Sequence, residues 1–275
     1  MISRAVTSRA RRASPKKKGG KESLAARTRR SHRILSALKT LYPDADCALQ
    51  HESALHLLVA TILSAQSTDV NVNKVTPKLF TRYADAVALA GADRAELETL
   101  IHSTGFFRQK TKSILGAAQR IVEAFGGNVP DTLEDLISLP GVARKTANVV
   151  LGTWFKKNEG IVVDTHVGRL SHRLELTWSS RNEKDAVRIE EDLVQLLPRE
   201  DWTFFGHAMI LHGRRICTAR KPNCAACLLA RDCPSAFRCG GWEKESAKSS
   251  PRSSRKKDSG RRKQGARGRY SRGVT

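Results

Sequence analysis

The run LPGVARKTANVVLG at 139–152 constrains this chain more than any other segment. Pro140 and Gly141 break a helical pattern, and apolar periodicity resumes at Ala147, Val150 and Leu151. The reading is two helices joined by a tight hairpin. Such a turn leaves backbone N–H groups unpartnered at the start of the second helix, which suits a phosphate. Lys145 falls in that first turn, where the positive end of the helix dipole disfavours an ammonium. A neutral amine beside a phosphate-binding turn is a candidate nucleophile for a sugar carbon. In the following VVDTHVGR segment at 162–169, Asp164 is the nearest carboxylate in an apolar setting. Taken singly, Lys145 reads as a solvated charge and Asp164 as a helix N-cap. The functional reading comes from their pairing.

The rest of the pattern predicts an all-α chain. Apolar residues recur at helical spacing over 22–41, 54–65, 70–83, 93–102, 111–125, 186–196 and 201–216, and no strand-like alternation persists over several segments. Pro77 is a candidate start of a new helix within 70–83. Asp131 with Glu134 reads as a capping box for a short helix ending at Leu139. Ile161–Val163 reads as an extended connector delivering Asp164 to a helix start. About ten helices in two layers or two subdomains are expected.

Of 275 residues, 49 are Lys or Arg and 27 Asp or Glu, and the uneven distribution matters more than the total. Residues 1–33 carry twelve basic side chains and one acid, and residues 240–275 carry twelve and three. Residues 34–239 hold 25 basic and 23 acidic side chains, so the middle is nearly neutral. The Ser-, Gly-, Arg- and Lys-rich ends are too poor in apolar residues to offset chain entropy, and read as disordered tails. They suit non-specific attachment to DNA or another polyanion, against the simpler reading of solubilising or processed tails. No apolar run reaches membrane-spanning length, and no secretory apolar segment follows the first basic residues.

Four of the six cysteines, Cys217, Cys224, Cys227 and Cys233, fall in one segment as C-x6-C-x2-C-x5-C. Four thiolates from a short loop can hold a [4Fe–4S] cluster, and a tetrahedral zinc ion is the rival. Spacing alone leaves that choice open, and either metal would staple a small lobe with little apolar core. Arg220 and Lys221, between the first two cysteines, can reach a phosphate or stay solvated. Cys47 reads as a small buried hydrophobe and Cys239 as an inert tail thiol. Concentrated rather than spread cysteines suit an intracellular protein.

Together, LPGVARKTANVV, VDTHV, the cysteine spacing and LLVATILSAQSTDVNVNK at 57–74 resemble the endonuclease III family, within the helix–hairpin–helix DNA glycosylase superfamily. The resemblance spans about residues 22–236. It implies a two-lobed all-α fold with a DNA groove between a six-helix lobe, 46–158, and an iron–sulfur cluster lobe, 22–45 plus 161–236. Basic tails at 1–21 and 237–275 would lie outside both. The implied activity is removal of oxidised pyrimidines from duplex DNA, then cleavage of the abasic strand. In this frame Lys145 forms the Schiff base, Asp164 assists it, and the four cysteines hold a [4Fe–4S] cluster. Gln66 and Phe106 would fill or wedge the space left by an extruded nucleotide, with an ordinary core role as the alternative for Phe106. Gly141, Ala143 and Arg144 would hold a backbone phosphate, with Arg220 and Lys221 as further DNA contacts. Asp69 and His166 match site positions, though one can simply cap a helix and the other satisfy a backbone group. The family's hairpin commonly has glycine where this chain has Ala143, a methyl expected to restrict φ, narrow the phosphate approach and modestly alter affinity, while Gly141 preserves the turn.

A monomer acting on damaged double-stranded DNA is expected, in the bacterial cytoplasm or nucleoid. The Arg- and Ser-rich N-terminus keeps organelle targeting open. Two rivals are an adenine-type monofunctional glycosylase and a non-enzymatic, metal-stapled DNA-binding module. The first needs a Glu on the early helix, and Ala54–Ala65 has no carboxylate. The second leaves Lys145 with Asp164 as coincidence.

Overall fold

The computed structural model describes residues 22–239, and the expectations placed on 1–21 and 240–275 lie outside the described residues. Among them are eleven α-helices and no strand. In order these are α1 Leu24–Leu41, α2 Ala54–Ser64, α3 Asp69–Arg82, α4 Ala86–Ala90, α5 Arg94–Ile101, α6 Phe107–Phe125, α7 Leu133–Ile137, α8 Arg144–Thr153, α9 Thr165–Arg173, α10 Ala186–Val194 and α11 Trp202–Arg215. Residues 161–163 form an irregular connector into the start of α9.

The buried apolar side chains form two clusters. One gathers residues from Leu49 to Leu151, with Leu57, Leu58 and Leu63 of the nearly all-apolar α2 among its most buried members. The other joins Ile34, Leu35 and Leu38 of α1 to Val167 and Leu170 of α9, Ile189 and Leu193 of α10, and Phe205 and Met209 of α11. The first helix of the chain therefore completes the lobe built by its last third. Arg30, buried on α1, donates to Leu174 O, Glu175 O and Asp232 O, and also pairs with Glu22. The basic stretch is thus helical from Leu24, as the apolar spacing over 22–41 predicts, and four of its arginines belong to α1.

Several local expectations shift. Pro77 lies inside an unbroken α3 rather than starting a helix. α7 is capped by Thr132, whose Oγ1 accepts from Asp135 N and donates to Asp135 Oδ2. The capping pair is therefore Thr132–Asp135, one residue beyond Asp131–Glu134, and Asp131 instead pairs with Lys157. α7 ends at Ile137, two residues before Leu139. α4 has too few residues to show a period. Residues 237–239, expected in the C-terminal tail, belong to the described structure: Arg238 N donates to Ser235 O, and Cys239 lines a cavity with the four clustered cysteines.

Candidate active site and DNA interface

The hairpin between α7 and α8 is set by one glycine. Gly141 has φ +78°, and a Cβ there would overlap the Ser113 side chain of α6. Gly116, one turn along α6, sits beneath Pro140, where a Cβ would make a tight contact at 3.0 Å. The helix thus presents small residues on which the turn lies flat. Ala143 is the N-cap of α8, with φ −92° and ψ 165°. This is extended backbone open to any residue, so the methyl expected to restrict the turn costs nothing. Alanine offers no capping oxygen, and α8 begins without a side-chain cap. Its first-turn N–H groups remain available to an external acceptor.

Lys145 follows as the second residue of α8. It is exposed and forms no hydrogen bond or ion pair among the described residues. Across from it, Asp164 caps α9, its Oδ1 accepting from His166 N and Val167 N, both at 2.8 Å. The simple cap reading of Asp164 is thus realised. Yet a carboxylate has two oxygens, and Oδ2 takes no hydrogen bond from the described residues. Lys145 and Asp164 line one cavity of about 560 Å³, within the usual range for a small-molecule site. Gln66, Asp69 and His166 share its wall. The sequence pairing therefore becomes one place, built where the starts of α8 and α9 approach the end of α2.

The cavity also contains residues that sequence reasoning missed. Arg214 of α11 pairs with Asp69 of α3 at 2.7 Å, joining the two lobes beside the cavity across 145 positions of sequence. Thr68 caps α3, so Asp69 is free of the capping role and serves as the partner of Arg214. His166 Nδ1 accepts from Arg169, and burial holds its imidazole below the ordinary value. His207 joins the wall and is likewise pushed down by burial. Cys47 is there too, half-buried rather than in the core, its thiol raised by burial to about 11.

The remaining predicted contacts divide. Phe106 is 66 % exposed, which removes the core reading, but it stands outside the cavity lining. Both Gln66 and Phe106 have left-handed backbone, with φ +55° and +48°. Arg144 reaches Glu190 of α10 at 3.3 Å, so its guanidinium is already engaged. Arg220 and Lys221 lie exposed on the loop after α11.

Cys217, Cys224, Cys227 and Cys233 line a single apolar cavity with Leu170, Leu174 and Leu229. Arg173 donates to Cys217 Sγ at 3.2 Å, and His212 Nε2 lies 3.4 Å from Cys227 Sγ. The other nitrogen of His212 meets Tyr42, the residue that ends α1, at 3.0 Å. Burial pushes Cys233 up to about 12 and raises Cys227. Cys239 lines the same cavity rather than lying apart in a tail, and burial raises its thiol.

A helix–hairpin–helix with an open α8 start, set against a cavity holding an amine and a carboxylate, defines a DNA repair protein of the base-excision class. Residues 59–199 match the HhH-GPD superfamily of base excision DNA repair proteins. The chain is 57 % identical over 213 residues to endonuclease III of Synechocystis, covering 78 % of this chain and 95 % of that one. It is 41 % identical to endonuclease III of Bacillus subtilis over 72 % of this chain and 89 % of that one. Among solved structures, a non-covalent endonuclease III–DNA complex matches with a TM-score of 0.71 at 35 % identity, over 80 % of this chain and 98 % of the other. A trapped endonuclease III–DNA covalent intermediate matches equally well. The chain belongs to the endonuclease III family, and its activity is that of a DNA glycosylase with AP lyase function.

Proposed function

We propose that the cavity between α2, α8 and α9 receives the sugar of an extruded, oxidised pyrimidine nucleotide, and that Lys145 is the nucleophile. The observation that carries this reading is an unpartnered amine and a half-free carboxylate on one cavity wall, beside an uncapped phosphate-binding turn. The hairpin amides hold a backbone phosphate, and Gln66 and Phe106 occupy the space the nucleotide vacates. The Lys145 Nζ lone pair attacks C1′, the glycosidic bond breaks, and its electron pair leaves with the base. Asp164 Oδ2 accepts a proton from the attacking amine and stabilises positive charge growing on the sugar. Asp164 then returns its proton to O4′ as the C1′–O4′ bond breaks and the sugar ring opens, and the resulting iminium acidifies C2′–H. Loss of that proton drives β-elimination, the C3′–O bond breaks with the phosphate as leaving group, and water releases the lysine.

The four cysteines of the apolar cavity fit a [4Fe–4S] cluster. Among the described residues no group of three or more His, Cys, Asp or Glu side chains is placed to hold a single metal ion. The four sulfurs nonetheless share one apolar cavity, with Arg173 and His212 placed to stabilise thiolates. Bound there, the cluster supplies four iron–thiolate bonds that staple residues 217–233 to the lobe. One chain suffices for the site, since both lobes lining the cavity come from it. The basic segments at either end, and Arg220 and Lys221, add attraction to the DNA backbone.

The test is borohydride trapping on duplexes carrying a panel of oxidised pyrimidines, an abasic site, or an adenine mispair. Wild type is expected to trap on the oxidised pyrimidines and the abasic site and not on the adenine mispair, and Lys145→Gln to trap on none. A protein that binds abasic duplex but never traps overturns the lysine mechanism.

A further inference from the structure

We propose that Lys110 is a positioning residue: its buried ammonium ties together the two turns that carry Gln66 and Phe106, so that both side chains enter the duplex as one rigid element. The proposal rests on the reading above that these two side chains occupy the space of the extruded nucleotide.

Lys110 lies in the first turns of α6 and is 4 % exposed. Its Nζ donates to Leu63 O in the last turn of α2 and to Thr104 O in the short 3-10 turn His102–Thr104, both at 2.8 Å. Gln66 follows Leu63 by three residues, and Phe106 follows Thr104 by two. One cation therefore sits at the root of both turns. Asn71 of α3 makes a second tie, donating to Ser103 O at 2.9 Å and to Ser67 Oγ at 3.2 Å.

The turns need such ties. Gln66, Gly105 and Phe106 all have positive φ, and the two non-glycine residues carry a backbone strain that persists only where surrounding structure over-determines it. The carbonyls at the end of α2 carry partial negative charge and lack intrahelical donors. They are suited to a cation, and no carboxylate pairs with Lys110 among the described residues. Burial pushes its pKa down, the mark of a desolvation cost. A methionine would fill the same space without that cost, but would not fix two carbonyls at a set separation. Wedging a duplex open requires that the two insertions not recoil independently. Once the nucleotide is out, or where the strand was never paired, rigidity at these turns has nothing left to do.

The experiment compares single-turnover base excision from a fully paired lesion duplex with AP-lyase cleavage of a single-stranded abasic oligonucleotide. The proteins are wild type, Lys110→Met, Lys110→Arg, Asn71→Ala and Phe106→Ala, with 2-aminopurine fluorescence opposite the lesion reporting insertion. Lys110→Met is expected to slow paired excision about tenfold and delay the fluorescence rise, while changing single-stranded cleavage less than about twofold. Lys110→Arg should recover most of the loss. Asn71→Ala, outside the core, should show a milder form of the same split, so the idea stays testable if Lys110→Met folds poorly. Equal losses in both reactions would mean a merely structural lysine and would overturn the proposal. So would normal paired excision by Lys110→Met or by Asn71→Ala while Phe106→Ala is slow. Normal paired excision by Phe106→Ala would instead remove the insertion reading on which the proposal stands.

Discussion

Gly141 and Ala143 sit two residues apart in the same turn and obey opposite constraints. Gly141 needs both a left-handed backbone and the absence of a Cβ against Ser113, whereas Ala143 sits in ordinary extended backbone. Gly141→Ala is therefore expected to cost about 1–3 kcal/mol of stability and to weaken DNA binding. Ala143→Gly should not strengthen DNA binding, because no steric obstruction is relieved. Urea unfolding and fluorescence anisotropy on an abasic duplex check both. At this scale the sequence is partly legible. Pro140–Gly141 punctuates the chain so strongly that the turn can be placed, but nothing in that punctuation encodes the extended φ of Ala143. Asp164 shows the same limit. Cap and site readings compete in the sequence, and both hold because its two oxygens divide the work. Arg144 shows the reverse, since Glu190, its partner, lies 46 positions away.

Helices with a long period, such as α2 and α6, can be read from their apolar spacing, whereas caps and short helices cannot. Thr132 rather than Asp131 begins α7 because its hydroxyl and the Asp135 carboxylate satisfy each other, while Lys157 draws Asp131 away. Pro77 is tolerated inside α3, which its ring was expected to interrupt. α1 is the element with the clearest consequence. Its N-terminal half looks like a continuation of a basic tail, yet Arg30 and Ser31 are buried and bind carbonyls of Leu174, Glu175, Leu196 and Asp232. A chain starting at residue 34 leaves those carbonyls without donors, at about 1–3 kcal/mol for each buried group. It should melt lower and bind iron less well than a chain starting at residue 22. Thermal melting with iron and sulfide analysis checks this, and equal melting temperatures would contradict it.

Over the whole molecule, the two apolar clusters meet where Lys145 and Asp164 share a cavity, and the Asp69–Arg214 pair joins the lobes beside it. Nineteen residues separate the amine from the carboxylate in sequence, close enough to suspect a pair. The 145 positions between Asp69 and Arg214 leave nothing to suspect, since no local pattern encodes a contact of that range. Charge divides at the same scale. Residues 34–239 are nearly balanced while the ends hold most of the excess, and on the proposed reading the site positions DNA while the ends supply long-range attraction. Removing residues 1–21 and 240–275 should leave single-turnover chemistry intact but flatten the salt dependence of binding to undamaged DNA, by about 0.9 in log–log slope for each phosphate no longer neutralised. An unchanged slope would contradict a DNA-binding role for the ends. None of these properties matters to the reaction unless one particular amine carries it. The direct measurement is peptide mapping by mass spectrometry of the borohydride-reduced protein–DNA adduct. The expected result is the sugar remnant on Lys145 alone, and a remnant on any other amine would contradict the mechanism.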